Sequence, residues 1–245
     1  MNVLLIQARR ANDPMLLHEQ RCVARRAEPL DIAWSPHNVV ETPVGPEVLA
    51  GVDAVVIGGS GDYSVYHPLS RRWVDPLARL VDAALEQGVP GFGICFGHQL
   101  LGEVLGGTVS LDPQTAEVGT VSLRLTDAGM ADPVFGRLQE GFRAHTGHTD
   151  RVRSTPAGVD LMATGDTLTT QAFRVRGAPF WSAQFHPDLT GAEARSRYLA
   201  YRAALDSPNP DSEDPRADRA ERFEPGADET AQLLAWFLGE VSGAP

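Results

Sequence analysis

Short apolar runs alternate with helical patterns through the first half of this 245-residue chain, and this alternation is the strongest constraint on its fold. Runs typical of buried strands lie at residues 3–6, 30–34, 52–57 and 89–94, and helical patterns lie at residues 14–27, 73–87 and 97–105. Strands that alternate with helices favour a mostly parallel sheet covered by helices on both faces. In such a sheet the carboxyl ends of the strands share one edge, where ligands bind.

The second half of the chain has a different pattern, which predicts short strands and turns between residues 108 and 181. Apolar or alternating segments lie at residues 118–125, 171–175 and 180–183, and a final helix is expected after Thr190. We therefore predict one α/β domain over residues 1–245. Its central sheet is expected to be mostly parallel and flavodoxin-like, with helices on both faces and a smaller antiparallel strand layer.

Residues 206–229 carry much of the negative charge of the chain. They hold nine acidic residues against three arginines, which is −6 of the formal −11, together with four prolines. A segment with few apolar groups, high charge and repeated proline buries too little surface to order itself. We therefore predict a flexible, acidic surface excursion at residues 206–226, with an acidic docking tail as the alternative. A carboxyl-terminal helix at about residues 228–241 is expected to pack back on the core.

The chain contains no lysine, since all 21 basic side chains are arginine. Without lysine there is no Schiff-base nucleophile, no pyridoxal-phosphate anchor and no phosphate-binding loop of the lysine type. An acidic chain without basic clusters is also poorly suited to nucleic acids or anionic membranes, because both attract positive charge. We expect no cofactor, no nucleic-acid partner and no membrane partner.

The amino terminus enters an apolar run directly, without a basic region that would indicate a signal peptide. No apolar run approaches the roughly 18 residues that a membrane span needs. Two cysteines, Cys22 and Cys95, are too few for a disulfide framework. These features favour a cytoplasmic protein with reduced cysteines, in which Cys22 has a structural place in the predicted helix at residues 14–27.

The sequence G-I-C-F-G at residues 93–97 places Cys95 between a short strand and a helix. This is the cysteine version of the nucleophile elbow, in which a sharp turn exposes the side chain at the carboxyl edge of the sheet. Glycines two residues away on each side relieve crowding, and the helix terminus favours a thiolate. A buried, inert cysteine is the alternative for an isolated residue, but the flanking glycines favour a nucleophile.

A thiolate nucleophile needs a base and a group that orients the base. The strand at residues 180–183 leads to His186, and Asp188 follows two positions later, where it can hold the imidazole. The glycine-rich turn at residues 58–61 follows the third predicted strand and should lie at the same edge. The N–H groups of Gly59 and Phe96 can then stabilise an oxyanion.

These segments, in this order, resemble the class I (triad-type) glutamine amidotransferase family, and within it the stand-alone members related to the amidotransferase domain of GMP synthase. The resemblance covers about residues 1–205 and rests on G-G-S-G at 58–61, G-I-C-F-G-H-Q at 93–99 and Q-F-H-P-D at 184–188. Two shorter matches are E-V-G at 117–119 and H-T-D-R-V at 148–152.

The resemblance implies a role for each matched position in the hydrolysis of the glutamine side-chain amide through a glutamyl thioester. It assigns a nucleophile, a base with its orienting acid, two oxyanion-hole N–H groups and two substrate contacts: Cys95, His186 with Asp188, Gly59 with Phe96, and Gln99 with Gly119. One departure is that the family usually has glutamate where Asp188 stands. The shorter acid is expected to preserve activity, because cysteine depends less on the third group than serine does.

The substrate and the acceptor of ammonia stay open at this stage. Glutamine is the default substrate, with ammonia passed to a separate synthetase subunit, because the chain has no synthetase segment and no ATP loop. A γ-glutamyl peptide or amine is the alternative, with Asp62, Tyr63 and Tyr66 as a rim for a cationic amine. A catalytically inactive regulatory or binding subunit is a second alternative, and the intact Cys95 and His186 argue against it.

Two other interpretations are less favoured by the sequence. His98, His145 and His148 do not form a compact ligand set, so no metal is expected, and His148 is expected to support the wall of the site. Cysteine-elbow proteins of the chaperone or protease type place histidine directly after the cysteine, whereas Phe96 follows Cys95 in this chain.

Overall fold

The structure is a computed structural model that describes residues 1–28, 30–205 and 219–243. The strands in these ranges are β1 (Asn2–Gln7), β2 (Ala33–Asn38), β3 (Ala54–Ile57), β4 (Gly91–Ile94), β5 (Val109–Leu111), β6 (Glu117–Leu125), β7 (Gly141–His148), β8 (Asp150–Val152), β9 (Val159–Gly165), β10 (Ala172–Val175) and β11 (Phe180–Ala183). The helices are α1 (Met15–Arg26), α2 (Arg71–Gln87), α3 (Phe96–Val104), α4 (Asp127–Ala131), α5 (Gly191–Leu205) and α6 (Leu233–Ser242). Short 3₁₀ turns lie at Pro46–Leu49, Pro68–Ser70, Pro113–Thr115 and Phe135–Arg137.

Within the described ranges, nine of the strands form one sheet in the order β2-β1-β3-β4-β11-β10-β9-β6-β7. The first five strands run parallel, so the carboxyl ends of β1, β3, β4 and β11 meet at one edge. The remaining four join antiparallel and extend the same sheet, while β5 and β8 form a separate antiparallel pair. The predicted α/β class with a mainly parallel central sheet is confirmed.

Side chains from alternate positions of the parallel strands supply two apolar cores, one on each face of the sheet. On one face Val3, Leu5 and Val56 pack with residues of α1 and α6. On the other face Leu4 and Ile57 pack with residues of α2 and α3. Each fully buried aliphatic side chain contributes about 1.5–3 kcal/mol of transfer free energy. The two cores thus hold the helices on both faces and fix the strand ends that carry the site.

The second strand lies at Ala33–Asn38, whereas the sequence pattern predicted it at residues 30–34. β2 is the edge strand of the sheet, and most of its side chains are exposed or half-buried. An edge strand needs little apolar content and accepts proline, here Pro36 opposite Leu5. The apolar pattern therefore could not locate it.

Most of the predicted excursion at residues 206–226 cannot be compared with the structure. Residues 206–218 lie outside the described part of the chain. In the described remainder Ala220 and Phe223 are buried, at 2% and 4% exposed, so this stretch packs on the body. The final helix begins at Leu233, later than expected, and buries its own apolar side chains against the sheet. Among the described residues no helix has the length and apolar character to cross a membrane.

Candidate active site

Cys95 occupies the sharp turn between β4 and α3. Its backbone has φ +51° and ψ −95°, the one positive φ at a non-glycine residue in the described part of the chain. Backbone strain of this kind costs on the order of 1–3 kcal/mol and persists only where the surroundings enforce it. The N–H of Cys95 donates to the carbonyl of Ala183 at 2.8 Å, and its carbonyl accepts from the N–H of Gln99 at 3.0 Å. These bonds hold the strained turn in place.

The two flanking glycines are required by close backbone approach. A β-carbon on Gly93 would lie 2.6 Å from the carbonyl carbon of Gly97, and one on Gly97 would lie 2.5 Å from the carbonyl oxygen of Ile57. Any side chain would therefore force β4, α3 and β3 apart. The N–H of Phe96 belongs to the first turn of α3, where N–H groups lack partners within the helix.

His186 and Asp188 follow β11, the strand beside β4. The Nδ1 atom of His186 donates to Oδ1 of Asp188 at 3.0 Å, and the His186 N–H donates to the carbonyl of His145 at 2.8 Å. Both side chains are buried, with Asp188 only 1% exposed. The Nδ1 bond leaves Nε2 of the ring to face the nucleophile.

Gly59 lies between the cysteine and the histidine. A β-carbon on this glycine would lie 2.9 Å from Cε1 of His186, 3.7 Å from its Nε2 and 3.7 Å from Cβ of Cys95. The ends of β3, β4 and β11 thus bring the three predicted segments together at one point of the sheet edge. This is the carboxyl edge, where the sequence pattern predicted that they would meet.

The charges around His186 favour its protonated form. Burial alone would lower the pKa of His186, but the Asp188 carboxylate and the Cys95 side chain raise it to about 9. Burial would raise the pKa of Asp188, and the Arg197 guanidinium and His186 instead hold it well below its usual range. Asp188 therefore stays ionised and can stabilise an imidazolium.

Cys95 faces a cavity with about 490 Å³ of empty space, part of it open to solvent. We call it the Cys95 cavity, and its lining comprises Ser60, Gly61, Asp62, Tyr63, Ser64, Cys95, Gln99, Gly147, His148, Thr149 and Asp150. The Nε2 atom of Gln99 donates to the carbonyl of Asp150 at 2.9 Å and to Oε1 of Gln184 at 3.1 Å. The structure thus places Gln99 in the wall beside Cys95, with its amide N–H groups engaged by the protein.

Asp150 brings a carboxylate to the Cys95 cavity. It accepts hydrogen bonds from the hydroxyls of Ser64 and Tyr66, the latter at 3.1 Å. Within the described ranges no arginine lies at ion-pair distance from Asp150, whereas Asp62 pairs with Arg10 at 3.0 Å. Among the described residues, Asp150 therefore contributes to this cavity wall a carboxyl group that has no arginine partner.

A second cavity lies on the other side of His186 and shares Ser60, Gly61 and Gly147 with the first. This His186 cavity has about 450 Å³ of empty space, and its lining comprises Arg9, Ser60, Gly61, Thr146, Gly147, His186, Leu189, Ala194, Arg197, Tyr198, Tyr201 and Phe223. Both arginines are engaged by buried acids, Arg9 by Glu19 and Arg197 by Asp188. The remaining wall is largely aromatic and aliphatic.

Gly119 does not line either cavity. It lies in β6 with φ +121°, and a β-carbon there would lie 2.5 Å from Cβ of Arg222. Its ladder partner in β7 is Thr146, which lines the His186 cavity. Gly119 is thus connected to the His186 cavity through that partner.

The three histidines considered as metal ligands in the sequence each contact a different protein group. Nδ1 of His98 lies 2.9 Å from Oγ of Ser182, Nε2 of His145 lies 2.8 Å from the carbonyl of Ala227, and Nε2 of His148 lies 3.2 Å from Glu117. Burial lowers the pKa of His98 to about 3, so this ring is neutral. His148 lies in the wall of the Cys95 cavity.

In the described part of the chain, a different group brings potential metal-ligand atoms together, namely His18, Cys22 and Glu193, within 4.8 Å of one another. Nη2 of Arg197 lies 3.5 Å from Nδ1 of His18. Oε2 of Glu193 accepts from Thr190 and from Arg25, the latter at 2.6 Å. The potential ligand atoms of His18 and Glu193 therefore already have protein partners, and two arginines lie beside them.

Two residues of the site were not among the predicted site residues. Asp150 lies within the H-T-D-R-V stretch, so its motif was visible although its place in the cavity was not. Arg197 lies inside α5 with no motif around it. Only the fold brings its guanidinium to Asp188.

The family model for glutamine amidotransferase class-I matches residues 19–204 of this chain. The chain therefore belongs to the class I glutamine amidotransferase family, a family of enzymes, and the resemblance seen in its motifs is confirmed. It is 34% identical over 156 residues to one subunit of the glutamine-hydrolysing GMP synthase of Sulfurisphaera tokodaii, covering 63% of this chain and 78% of that protein. It is 35% identical over 147 residues to the glutamine-hydrolysing GMP synthase of Parafrankia sp., covering 60% of this chain and 26% of that protein.

Solved structures share the fold. A glutamine amidotransferase from Thermotoga maritima aligns with a TM-score of 0.74 at 20% identity, covering 98% of this chain and 97% of that chain. One from Methylobacillus flagellatus aligns with a TM-score of 0.71 at 20% identity, covering 98% of this chain and 92% of that chain. At such identities the likeness concerns the fold alone.

Proposed function

We propose that this protein hydrolyses the side-chain amide of glutamine through a thioester on Cys95. The observation that carries the proposal is the placement of Cys95 on a strained elbow, in a cavity, beside His186 and its buried partner Asp188. A nucleophile, a base and an orienting acid in this order define triad chemistry regardless of fold. Family membership of the chain supports the same assignment.

In the proposed reaction the Cys95 sulfur attacks the carboxamide carbon, and the carbonyl oxygen becomes an oxyanion. The N–H groups of Gly59 and Phe96 stabilise that oxyanion, since both lie beside Cys95. His186 donates a proton to the leaving nitrogen, and ammonia departs as the thioester forms. Water, deprotonated by His186, then attacks the thioester carbon, and the carbon–sulfur bond breaks. Glutamate leaves, and the Cys95 thiolate and the protonated His186 are restored.

Asp150 is proposed to bind the α-ammonium group of the substrate. Its carboxylate lines the Cys95 cavity and has no protein cation to neutralise it within the described residues. A charge-assisted hydrogen bond of this kind is worth about 1.5–3 kcal/mol. Gln99 shapes the same wall through its bonds to Asp150 and Gln184. We assign Gly119 an indirect role in substrate binding, through its β-ladder partner Thr146.

We further propose that the ammonia passes to a separate synthetase subunit. The Sulfurisphaera tokodaii relative is one subunit of a glutamine-hydrolysing GMP synthase, and this chain covers 78% of it. The Parafrankia relative, by contrast, extends far beyond the aligned part, because the alignment covers only 26% of that protein. Both relatives support an amidotransferase part that works beside a synthetase part.

The His186 cavity favours a second candidate, the hydrolysis of γ-glutamyl amides of larger amines. The leaving nitrogen must lie next to His186, so a substituent on it would extend into this cavity. Leu189, Tyr198 and Phe223 give that space an apolar wall. The predicted rim for a cationic amine is weakened, because Arg10 pairs with Asp62 at 3.0 Å. An apolar amine fits better than a cationic one.

The experiment measures glutamate and ammonia released from glutamine, and glutamate and benzylamine released from γ-glutamyl benzylamide, with and without Cys95→Ala. Glutamine turnover that vanishes in the variant supports the first candidate. Turnover of the benzylamide alone would replace it with the second. The glutamine-like electrophile 6-diazo-5-oxo-norleucine should label Cys95 in the intact protein. If neither turnover nor labelling is seen, the catalytic assignment fails and a binding subunit remains.

A further inference from the structure

Arg197 places a buried guanidinium directly behind Asp188. The residue lies in α5, and its side chain is 8% exposed. Its Nη1 atom donates to Oδ2 of Asp188 at 2.9 Å and lies 3.5 Å from Nδ1 of His186. The arginine therefore contacts the acid and approaches the base, while Cys95 lies on the far side of the His186 ring.

The two oxygens of Asp188 have different partners. Oδ1 accepts from Nδ1 of His186 at 3.0 Å, and Oδ2 accepts from Arg197 at 2.9 Å. A carboxylate held at both oxygens cannot rotate about its Cβ–Cγ bond without losing a hydrogen bond. The plane of the carboxylate, and with it the direction offered to His186, is therefore set by Arg197.

Arg197 is itself held from another element. Its Nη2 atom lies 3.5 Å from Nδ1 of His18 in α1. The start of α5 is fixed by Thr190 and Glu193: Oε2 of Glu193 accepts the Thr190 N–H at 2.8 Å, and Oγ1 of Thr190 accepts the Glu193 N–H at 3.3 Å. This reciprocal arrangement is a capping box, which fixes the first turn of a helix. The contact with His18 and the capped first turn of α5 thus hold the Arg197 guanidinium in position.

We propose that Arg197 is a positioning residue for the reaction, which fixes the plane of Asp188 and, through it, the orientation and tautomer of His186. This inference rests on the proposed role of the Cys95, His186 and Asp188 group. Arg197 has no proposed contact with the substrate or the reacting atoms, and it acts only through Asp188.

The charge of Arg197 has a second effect on the same pair. Against the cost of burial, Arg197 is the largest influence that lowers the pKa of Asp188, ahead of His186. Asp188 therefore remains ionised when His186 gives up its proton during turnover. Arg197 directs Nη1 to Asp188 and Nη2 to His18, and lysine would supply the charge but not these two donors in a fixed plane.

The test compares Arg197→Ala and Arg197→Lys with the wild type, in kcat and KM for glutamine. At metal sites, loss of a partner that orients a ligating histidine typically costs about 10- to 100-fold in affinity or activity, and we take the same range for His186. We expect kcat to fall by that factor in Arg197→Ala while KM changes by less than about threefold. Added guanidinium ion should restore part of the activity, because the His186 cavity reaches the vacated position, whereas neutral urea should not.

Arg174→Gln is the matched control. Arg174 also pairs with a buried acid, Asp132, at 3.2 Å, but neither residue lines the Cys95 cavity or the His186 cavity. Its kcat should stay within about threefold of the wild type. A comparable loss in both arginine variants would show a general effect of a broken ion pair and would overturn the proposal.

A readout independent of glutamine separates this inference from the proposed substrate. The rate of Cys95 alkylation by iodoacetamide, followed on the Cys95 peptide by mass spectrometry, should depend on pH differently in Arg197→Ala and in the wild type. Unchanged kcat and an unchanged alkylation profile in the folded variant would refute the positioning role, as would a loss that guanidinium does not restore. If Arg197→Ala does not fold, Arg197→Lys decides by the same profile.

Discussion

The α-carbon of Gly59 approaches the imidazole of His186 so closely that a β-carbon on it would lie 2.9 Å from Cε1 of the ring. The contact joins the end of β3 to the segment after β11, across the elbow that carries Cys95. The loop that is proposed to bind the oxyanion therefore also limits where the histidine ring can lie.

Gly59→Ala is expected to displace His186 while leaving the fold intact. A misplacement of about 1 Å can cost roughly 100-fold in rate, so we expect kcat for glutamine to fall by about that factor. The matched control is Gly239→Ala in α6, where a β-carbon meets nothing within 4 Å. It should retain activity and gain up to about 1 kcal/mol of stability. Equal activities in the two variants would contradict the proposed contact.

Asp188→Asn should move the basic limb of the pH–rate profile. Asp188 raises the pKa of His186, which stands at about 9 in the intact site. Asparagine removes that charge, so the pKa of His186 falls, and the proton donor is lost at lower pH. We expect kcat/KM for glutamine to decline near pH 9 in the wild type and at lower pH in the variant. A basic limb that does not move would argue against His186 as the donor.

The same pKa shift predicts a pH dependence of stability. The pKa of His186 is higher in the folded state, about 9, than in the unfolded chain, about 6.5. Its stabilising contribution is therefore fully present below pH 6.5 and is lost as the pH rises through about 9. Urea unfolding between these values should show a falling free energy of unfolding, with a smaller fall in His186→Gln. Parallel curves for the two proteins would exclude the linkage.

Replacement of Cys95 should reveal the strain in the elbow. Glycine adopts positive φ without the steric cost that alanine retains, so Cys95→Gly should be more stable than Cys95→Ala by about 1 kcal/mol, although both are inactive. At Cys22 in α1 the order should reverse, because glycine is about 1 kcal/mol worse than alanine within a helix. Denaturant unfolding of the four variants measures both differences. The same order at both positions would mean that the elbow is not strained.

Asp150→Asn should weaken the binding of glutamine more than it slows the chemistry. Loss of a charge-assisted bond worth about 1.5–3 kcal/mol corresponds to a rise in KM of roughly 10- to 100-fold. Asp62→Asn is the control, because Asp62 lines the same cavity but pairs with Arg10. Its KM should change much less. If the two substitutions have equal effects, the ammonium subsite at Asp150 is wrong.

The order of strands and helices could be predicted because it depends on local patterns. The apolar runs that became β1, β3 and β4 and the stripes that became α1 to α3 are short-range features. The bounds of the edge strand β2 were predicted wrongly, since its exposed and half-buried side chains carry no apolar pattern. The burial of Phe223 was not predicted either. Its neighbours in the sequence are acidic residues and prolines, which indicate an exposed segment, and only the fold covers this one aromatic side chain.

By itself the sequence determined the elbow at Cys95, the turn with Gly59 and the spacing of His186 and Asp188, because each depends on neighbours a few residues away. Tertiary structure alone decided which charges surround them. Arg197 reaches Asp188 from within α5, and Asp150 enters the Cys95 cavity from β8. Coulomb interactions and hydrogen bonds depend on distance in space, and no spacing along the chain encodes that distance.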